Sequence, residues 1–480
     1  PNNQKTTETR YQFKIPLNQY NNTVGNLPDF KSIRFMRMFL TNFSDSVVVR
    51  FAKLELVRNQ WRRYMYELRP GDPVPLDNNT TFNSSAVNIE ENSSRTPIPY
   101  VLPPGVVRQN TISTNNTTLQ LNEQSLSVQV CNLQDGEMRS LYKTLNMDLR
   151  QYKKLQMYIH AEAVGAATAL KDGQVEAVIR IGSDFVSNYY EYRIPLKITD
   201  WNGPKTSADI WPERNNLDLL MSQLSTLKQQ RNMCDSCSPL LPYPQVPVAD
   251  QYGNYMSVVG NPSLGDARTM MIGIQNPKDD GQPRCAEVWL DELRLSDFDE
   301  KGGYAALARV DMQLSDLGTI SVSGNMHTAG FGNIDQRVNE RFRDNFMQYD
   351  AAANLDLGKL LPKKAGISIP VYAGYSQSVS NPEYDPYDLD IKLKDKIALA
   401  RSRREKDSIR RDAQDFTSIK SLNFTNVRKL NLGAGGKRHL WDIENFDISY
   451  SFSQILRHNP LIQNDVLTKH RGGIGYNYAG

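Results

Sequence analysis

Tyr304-Ala305-Ala306-Leu307-Ala308-Arg309-Val310-Asp311-Met312-Gln313-Leu314 is the stretch that decides the fold. In an extended chain alternate side chains point to opposite faces. Tyr304, Ala306, Ala308, Val310, Met312 and Leu314 then share one face, and Arg309, Asp311 and Gln313 share the other. The pattern recurs downstream. Ile320, Val322, Gly324 and Met326 alternate with Ser321, Ser323, Asn325 and His327. Tyr349, Ala351, Ala353, Leu355 and Leu357 alternate with Asp350, Asn354 and Asp356. Ile367 to Tyr375, Leu422 and Phe424, Phe446 to Phe452, and Ile474 to Tyr478 complete seven such runs. Several exceed the roughly 5–6 residues of a soluble strand and reach the ~9–11 that cross a bilayer when tilted. One apolar and one polar face is the transmembrane β-barrel pattern. Residues 301–480 are therefore expected to be barrel strands. Tyr304, Ala306, Ala308, Val310, Met312, Tyr349, Ala351, Ala353 and Tyr375 should face lipid or a partner. Arg309, Asp311, Gln313, Asn354 and Asp356 should face the lumen.

The connections support one orientation. Residues 315–318 and 358–366 are short, whereas 331–346, 380–415 and 456–469 are long or charged. Outer-membrane barrels keep short turns inside and long loops outside. The connection 429–444 falls on the short side and is longer than that rule expects. Tyr304, Tyr349, Tyr375 and Phe452 lie at the long-loop end of the apolar face, where an aromatic girdle belongs. By the same parity residues 1–298 lie outside the cell. Seven strands do not close an even-stranded barrel, so the chain reads as a piece of a longer one. The 380–415 loop, rich in Lys and Arg interleaved with acids, reads as a charged, solvated helical lid, or as an electrostatic contact for cargo or lipid phosphates.

Residues 1–300 have separate strands, one helix and polar loops. A repeat relates Tyr11–Leu17 to Tyr190–Leu196, and Val49, Phe51, Leu54 and Leu56 to Val288, Leu290, Leu293 and Leu295. This suggests two jelly-roll-like β-sandwiches. Residues 1–65 are then half of the first, 66–125 an Asn/Thr/Pro-rich connector, and 126–300 the second, with a helix inserted at 211–232. Trp289 with Tyr189, Tyr190 and Tyr192 reads either as core or as a sugar-stacking platform. Asp291 and Glu292 have no opposing carboxylate to make a glycosidase pair.

Composition narrows the classes. The 480 residues suit about three domains at ~150 each. Hydrophobic residues are 39%, and no apolar run of about 18 residues offers a transmembrane helix. With 56 basic and 53 acidic residues the net charge is +3, which argues against a nucleic-acid partner. Cys234 and Cys237 form a C-x-x-C in loop chemistry and are a candidate disulfide pair; a reduced, inert pair and a metal or redox site stay open. Five scattered histidines carry no metallohydrolase motif, and no phosphate-binding G-x-x-x-x-G-K-[ST] occurs.

Three stretches carry a family resemblance. They are Cys285 to Asp299 with Gly302-Gly303-Tyr304, Tyr142 to Tyr152, and Phe30 to Met38. They resemble the SprA/Sov family, outer-membrane translocons of the Bacteroidota type IX secretion system that also serve gliding motility. The resemblance implies a very large single-chain barrel passing folded cargo proteins to the cell surface. It implies two protein partners, a smaller outer-membrane barrel that shuttles cargo and a periplasmic plug. It implies no enzymatic activity and no cofactor. The alternative is a surface carbohydrate-binding sandwich on a glycan-import barrel.

Overall fold

The structure is a computed structural model. It describes residues 15, 22, 36–51, 61–68, 70–71, 73–76, 79–112, 118–244, 249–431 and 439–478. The chain divides into Pro1–Arg58 and Asn59–Gly480. Most of the expected first sandwich, with Tyr11–Leu17, Leu54 and Leu56, lies outside the described residues. Within 36–51 no strand is formed, and Val49 and Phe51 are exposed.

The second unit opens with a sandwich. In chain order its strands are β1 (Arg62–Arg63), β2 (Thr81–Asn88), β3 (Asn110–Ile112), β4 (Thr118–Gln120), β5 (Gln124–Leu133) and β6 (Met138–Met147). Then come β7 (Tyr152–Ala163), β8 (Glu176–Gly182), β9 (Tyr189–Pro195), β10 (Leu217–Leu220), β11 (Tyr255–Val259), β12 (Ala267–Gln275) and β13 (Arg284–Phe298). Two antiparallel sheets face each other, ordered β1-β6-β12-β8-β9-β11 and β10-β7-β13-β5-β2. Alternation explains the packing. Leu155, Met157, Ile159 and Ala161 of β7 turn into the core beside Ala286, Val288 and Leu290 of β13. Burying each such aliphatic contributes about 1.5–3 kcal/mol.

Two expectations change here. Residues 66–125 are not a plain connector. β2 pairs with β5 as an edge of the five-stranded sheet, and Ile98 and Tyr100 are fully buried. The segment α1 (Ile89–Asn92) starts at Asn88, whose side chain caps the amides of Glu90 and Glu91. Secondly, the helix expected at 211–232 covers only α3 (Met221–Asn232). Ahead of it, after the single turn α2 (Ser207–Ile210), Leu217–Leu220 pairs with β7. Leu217 and Leu219 are buried while Leu220 is exposed, so a period of two wins over the helical reading.

After β13 the chain enters a second sheet. Its strands are β14 (Ala305–Leu314), β15 (Gly318–His327), β16 (Asp344–Asp356), the two-residue β17 (Ile367–Ser368) and β18 (Pro370–Pro382). The hairpin of β19 (Tyr384–Asp385) and β20 (Asp388–Lys392) follows, with helices α4 (Leu393–Leu399) and α5 (Arg403–Ala413). Last are β21 (Asp415–Lys429), β22 (Phe446–Asn459) and β23 (Ile462–Tyr476). The order is β14-β15-β16-β18-β21-β22-β23, open at both edges, with β17 on β21. Among the described residues no helix is long and apolar enough to cross a membrane.

Two disulfides join Cys131 to Cys285 and Cys234 to Cys237. The first links neighbouring strands β5 and β13 across 154 residues of chain. Closing so long a loop removes entropy from the unfolded state. Replacing Cys131 and Cys285 together by serine should cost roughly 2–5 kcal/mol, read as a lower unfolding midpoint in denaturant.

Candidate functional site, a two-faced sheet tethered to the sandwich

Residues directly opposite in an antiparallel ladder share a face. The register therefore assigns faces across seven strands. One row reads Met312, Ile320, Ala353, Ala373, Leu422 and Phe452. The next apolar row reads Val310, Val322, Ala351 and Tyr375, then Lys420 and Gln454. Ala306, Ala308 and Tyr349 belong to the same face, and Tyr304 extends it by alternation just before β14. The opposite face carries rows such as Gln313, Thr319, Asn354, Tyr372, Asn423 and Ser451. Arg309 and Asp311 lie there as an exposed ion pair, 2.8 Å apart, with Ser321 donating to Asp311. Asp356 is on this face too, but it caps a turn by accepting from the amides of Gly358 and Ile369. Among the described residues no Asp or Glu of these strands falls on the apolar face. The polar face is less uniform: Ile419, Ile455 and Leu467 share the row of Arg309.

Aromatics cross the apolar face diagonally. Tyr304 precedes β14; Tyr349 sits in the row of Ala308, Tyr375 in that of Val310 and Phe452 in that of Met312. Rows run perpendicular to strands, so a belt at one height over tilted strands must step in this way. Gln377, Ser418, Lys420 and Gln454 all lie on the long-loop side of that line. One connection corrects the sequence reading. The expected long loop 456–469 is strand, and only Pro460 and Leu461 separate β22 from β23. β23 is an edge strand with polar residues on both faces, so its period was masked.

The 380–415 loop is not a freely solvated lid. Its hairpin docks on the sandwich, with Asp390, Ile391 and Leu393 buried. Lys228 of α3, itself buried, puts its ammonium 2.7 Å from Asp388 and 3.3 Å from Asp390. It also donates to the Pro262 carbonyl at 2.7 Å. Tyr190 donates to Asp390 at 2.6 Å, as does the Leu264 amide. Burial pushes the Asp390 carboxyl above its ordinary range, opposed by Lys228. Arg150 donates to the Leu389 carbonyl at 2.8 Å, and its guanidinium lies over the Tyr384 ring. Beside it Arg343 meets Asp148 at 3.4 Å. The Asp299 amide donates to the Gln151 carbonyl at 2.7 Å. Residues 148–151 thus receive the chain linking the two sheets and both neighbouring loops.

The residues of the sugar-platform expectation do not meet. Tyr189, Tyr190 and Tyr192 are on β9 of one sheet, and Trp289 is on β13 of the other. Trp289 is fully buried among His160, Tyr100 and Trp211. Residues 92–104 cross over it. From that segment Arg95 stacks above Trp289 and reaches Glu162 at 2.6 Å and Glu287 at 2.8 Å. Its approach to Glu162 is close but out of line for a hydrogen bond, leaving both Glu162 oxygens without one. Asp291 accepts from Tyr100 and Ser125. Burial lowers His160 to about 3 and raises Glu162 to about 7, the latter opposed by Arg95. Asp135, Asp279 and Asp280 converge at exposed turns. There Asp280 pairs with Arg284 and Asp135 caps the Asp279 amide.

A family described as motility related/secretion protein, the SprA N-terminal family, has a model that matches residues 1–397. The chain belongs to this family. No curated protein matches it. The matched span includes the sandwich, strands β14 to β18 and the docking hairpin, and ends inside α4. Both sides of the Lys228–Asp390 junction thus lie inside the SprA N-terminal region. Sequence reading missed this junction, the Arg95 clamp and the Cys131–Cys285 bond. Each joins residues far apart in the chain with no spacing motif.

Two outcomes follow from these geometries. Asp390→Ala strands the buried Lys228 ammonium with Asp388 alone, and removing one partner of a buried pair costs about 3–5 kcal/mol. Hydrogen exchange should rise in 383–399 while the core of β7 stays protected. The second concerns pH. A carboxyl raised on folding stabilises fully below its unfolded value and loses that contribution as pH rises through its folded value. Glu162 should therefore make the sandwich lose stability between pH ~4.5 and ~7. In Glu162→Gln that slope should flatten, as followed by thermal unfolding at a series of pH values.

Proposed function

We propose that this chain forms part of the wall and the external cap of an outer-membrane pore that conducts folded proteins to the cell surface in type IX secretion and gliding. The observation that carries the proposal is the shared register of two faces. One is apolar, free of carboxylates and crossed by an aromatic line; the other is largely polar. The first suits lipid or the smaller partner barrel, and the second a wet lumen. The strands, of 10–15 residues, are long enough for a tilted crossing. Membership of a motility and secretion family supports the same reading.

The mechanism is passive. Ser, Asn and Gln on the lumen side offer cargo no extended apolar surface to adhere to. The sandwich is held beside the long-loop end by the docked hairpin and limits leakage there. Cargo proteins, the shuttle barrel, a periplasmic plug and the bilayer are the partners of this reading; it needs no cofactor, nucleotide or catalytic group. The glycan-binding alternative loses its main support, because Trp289 is covered by the protein's own chain.

Sidedness is the test. Val107 is 80% exposed on the sandwich. In the full-length protein, Val107→Cys should react with a membrane-impermeant maleimide on intact cells. Reaction only after the outer membrane is permeabilised would reverse the orientation and remove the cap from the surface.

A further inference from the structure

Lys420 is out of place on an apolar face. It stands directly opposite Tyr375 on one side and Gln454 on the other, on the long-loop side of the aromatic line. Four residues further along β21, Phe416 stacks on His458 of β22, on the same face. Gln414 at the end of α5 bonds to Asn381 on the same face, and Arg411, with Asp412 and Asp415, is near enough to that histidine to act on it electrostatically.

The rim is held in shape. Ala413 is buried, Gln414 donates to Asn381 at 2.7 Å, and the Tyr387 hydroxyl reaches the carbonyls of Asp412 and Pro460. α5 carries five cations against three carboxylates. Among the described residues Arg403, Arg404, Arg411 and Lys420 are exposed and have no carboxylate within 4.0 Å. From Lys420 to Phe416 is four residues, about 13 Å along a strand. At the ~45° tilt of barrel strands this is about 9 Å along the membrane normal, close to the depth of one headgroup layer.

The apolar face carries Lys420 and no carboxylate immediately outside an aromatic line, and the adjoining α5 has more cations than carboxylates, an arrangement that complements a layer of negative charge. We infer that Lys420 and Arg411 form a docking surface for the phosphate groups of anionic membrane lipids in the leaflet at the long-loop end. The site holds the wall at fixed depth. Lys420 reaches the phosphate from below, beside Tyr375, and Arg411 meets it from the rim, where its fork offers paired donors. This rests on the reading of the long sheet as a membrane wall.

The test uses the purified full-length protein in a neutral detergent. Its probes are short-chain phosphatidic acid, short-chain phosphatidylcholine and inorganic phosphate. Phosphatidic acid should bind at least about tenfold more tightly than phosphatidylcholine, since each cation near an anionic surface adds appreciably to binding. The double variant Lys420→Gln/Arg411→Gln should lose about tenfold or more of that affinity, with its melting temperature without lipid unchanged. Lys420→Arg/Arg411→Lys should retain it. If the double variant does not fold, Lys420→Gln alone carries the test, because that side chain is exposed. Equal affinity for the two lipids, an unaltered affinity in the variant, or equal binding of inorganic phosphate would overturn the proposal. Binding in detergent does not depend on sidedness, so its failure is separable from failure of the labelling at Val107.

Discussion

The hydrogen-bond register from β14 to β23 is the constraint on which the rest depends. Once Ala308 is opposite Gly324 and Gly324 opposite Tyr349, the faces follow strand by strand as far as the bulge between Phe424 and Val427, where the apolar face of β21 passes to Val427 opposite Ile448. A slip of one residue between β14 and β15 or between β15 and β16 would carry Asp311 or Asp350 onto the apolar side. Glycine helps to hold the register at one turn. Gly318 adopts φ +145°, and a Cβ there would strike the Asn354 carbonyl, so β15 can begin only with this residue against β16.

A second constraint fixes the sandwich to that sheet. Most loops that leave a long strand are solvated, because their backbone polar groups need partners. The β19–β20 hairpin finds its partners on the sandwich instead. Asp390 is satisfied by Tyr190, the Leu264 amide and Lys228, so its charge is buried without being orphaned. Buried ion pairs of this kind add little net stability, but they penalise misplaced arrangements severely. Specific placement of the sandwich is the better account of why Lys228 sits on α3 than stability is.

The sequence was most legible where one face is apolar and the other polar. The faces of Ala306, Ala308, Val310, Arg309 and Asp311 follow from alternation alone. The first part of β23 was illegible for the opposite reason: Asn464, Asp465, Lys469 and Arg471 put polar side chains on both of its faces, and only from Ile474 to Tyr476 does the alternation show. Leu217 and Leu220 mimicked a helical face by their spacing, although a strand edge was waiting for them on β7. The region 66–125 looked like a connector because it is rich in Asn, Thr, Ser and Pro, and the residues fully buried there, Ile98 and Tyr100, sit among prolines in no sustained period. Their importance is set by the Trp289 ring they cover, which lies about 190 positions away, a distance the Tyr100–Asp291 bond illustrates. Local patterns carry no information about such pairings.

The convergence at Asp148–Gln151 has a mechanical consequence. The link to β14, the docked hairpin and the loop before β16 all bear on this one short turn. The sandwich is thus held at two places, this turn and the Lys228–Asp390 junction, and a load on it is shared between them. The contacts at the turn are a half-buried backbone bond and charge-assisted contacts, which are short-ranged. A joint made at two separated points opposes rotation as well as translation, so it fixes the orientation of the sandwich against the hairpin and not only its distance.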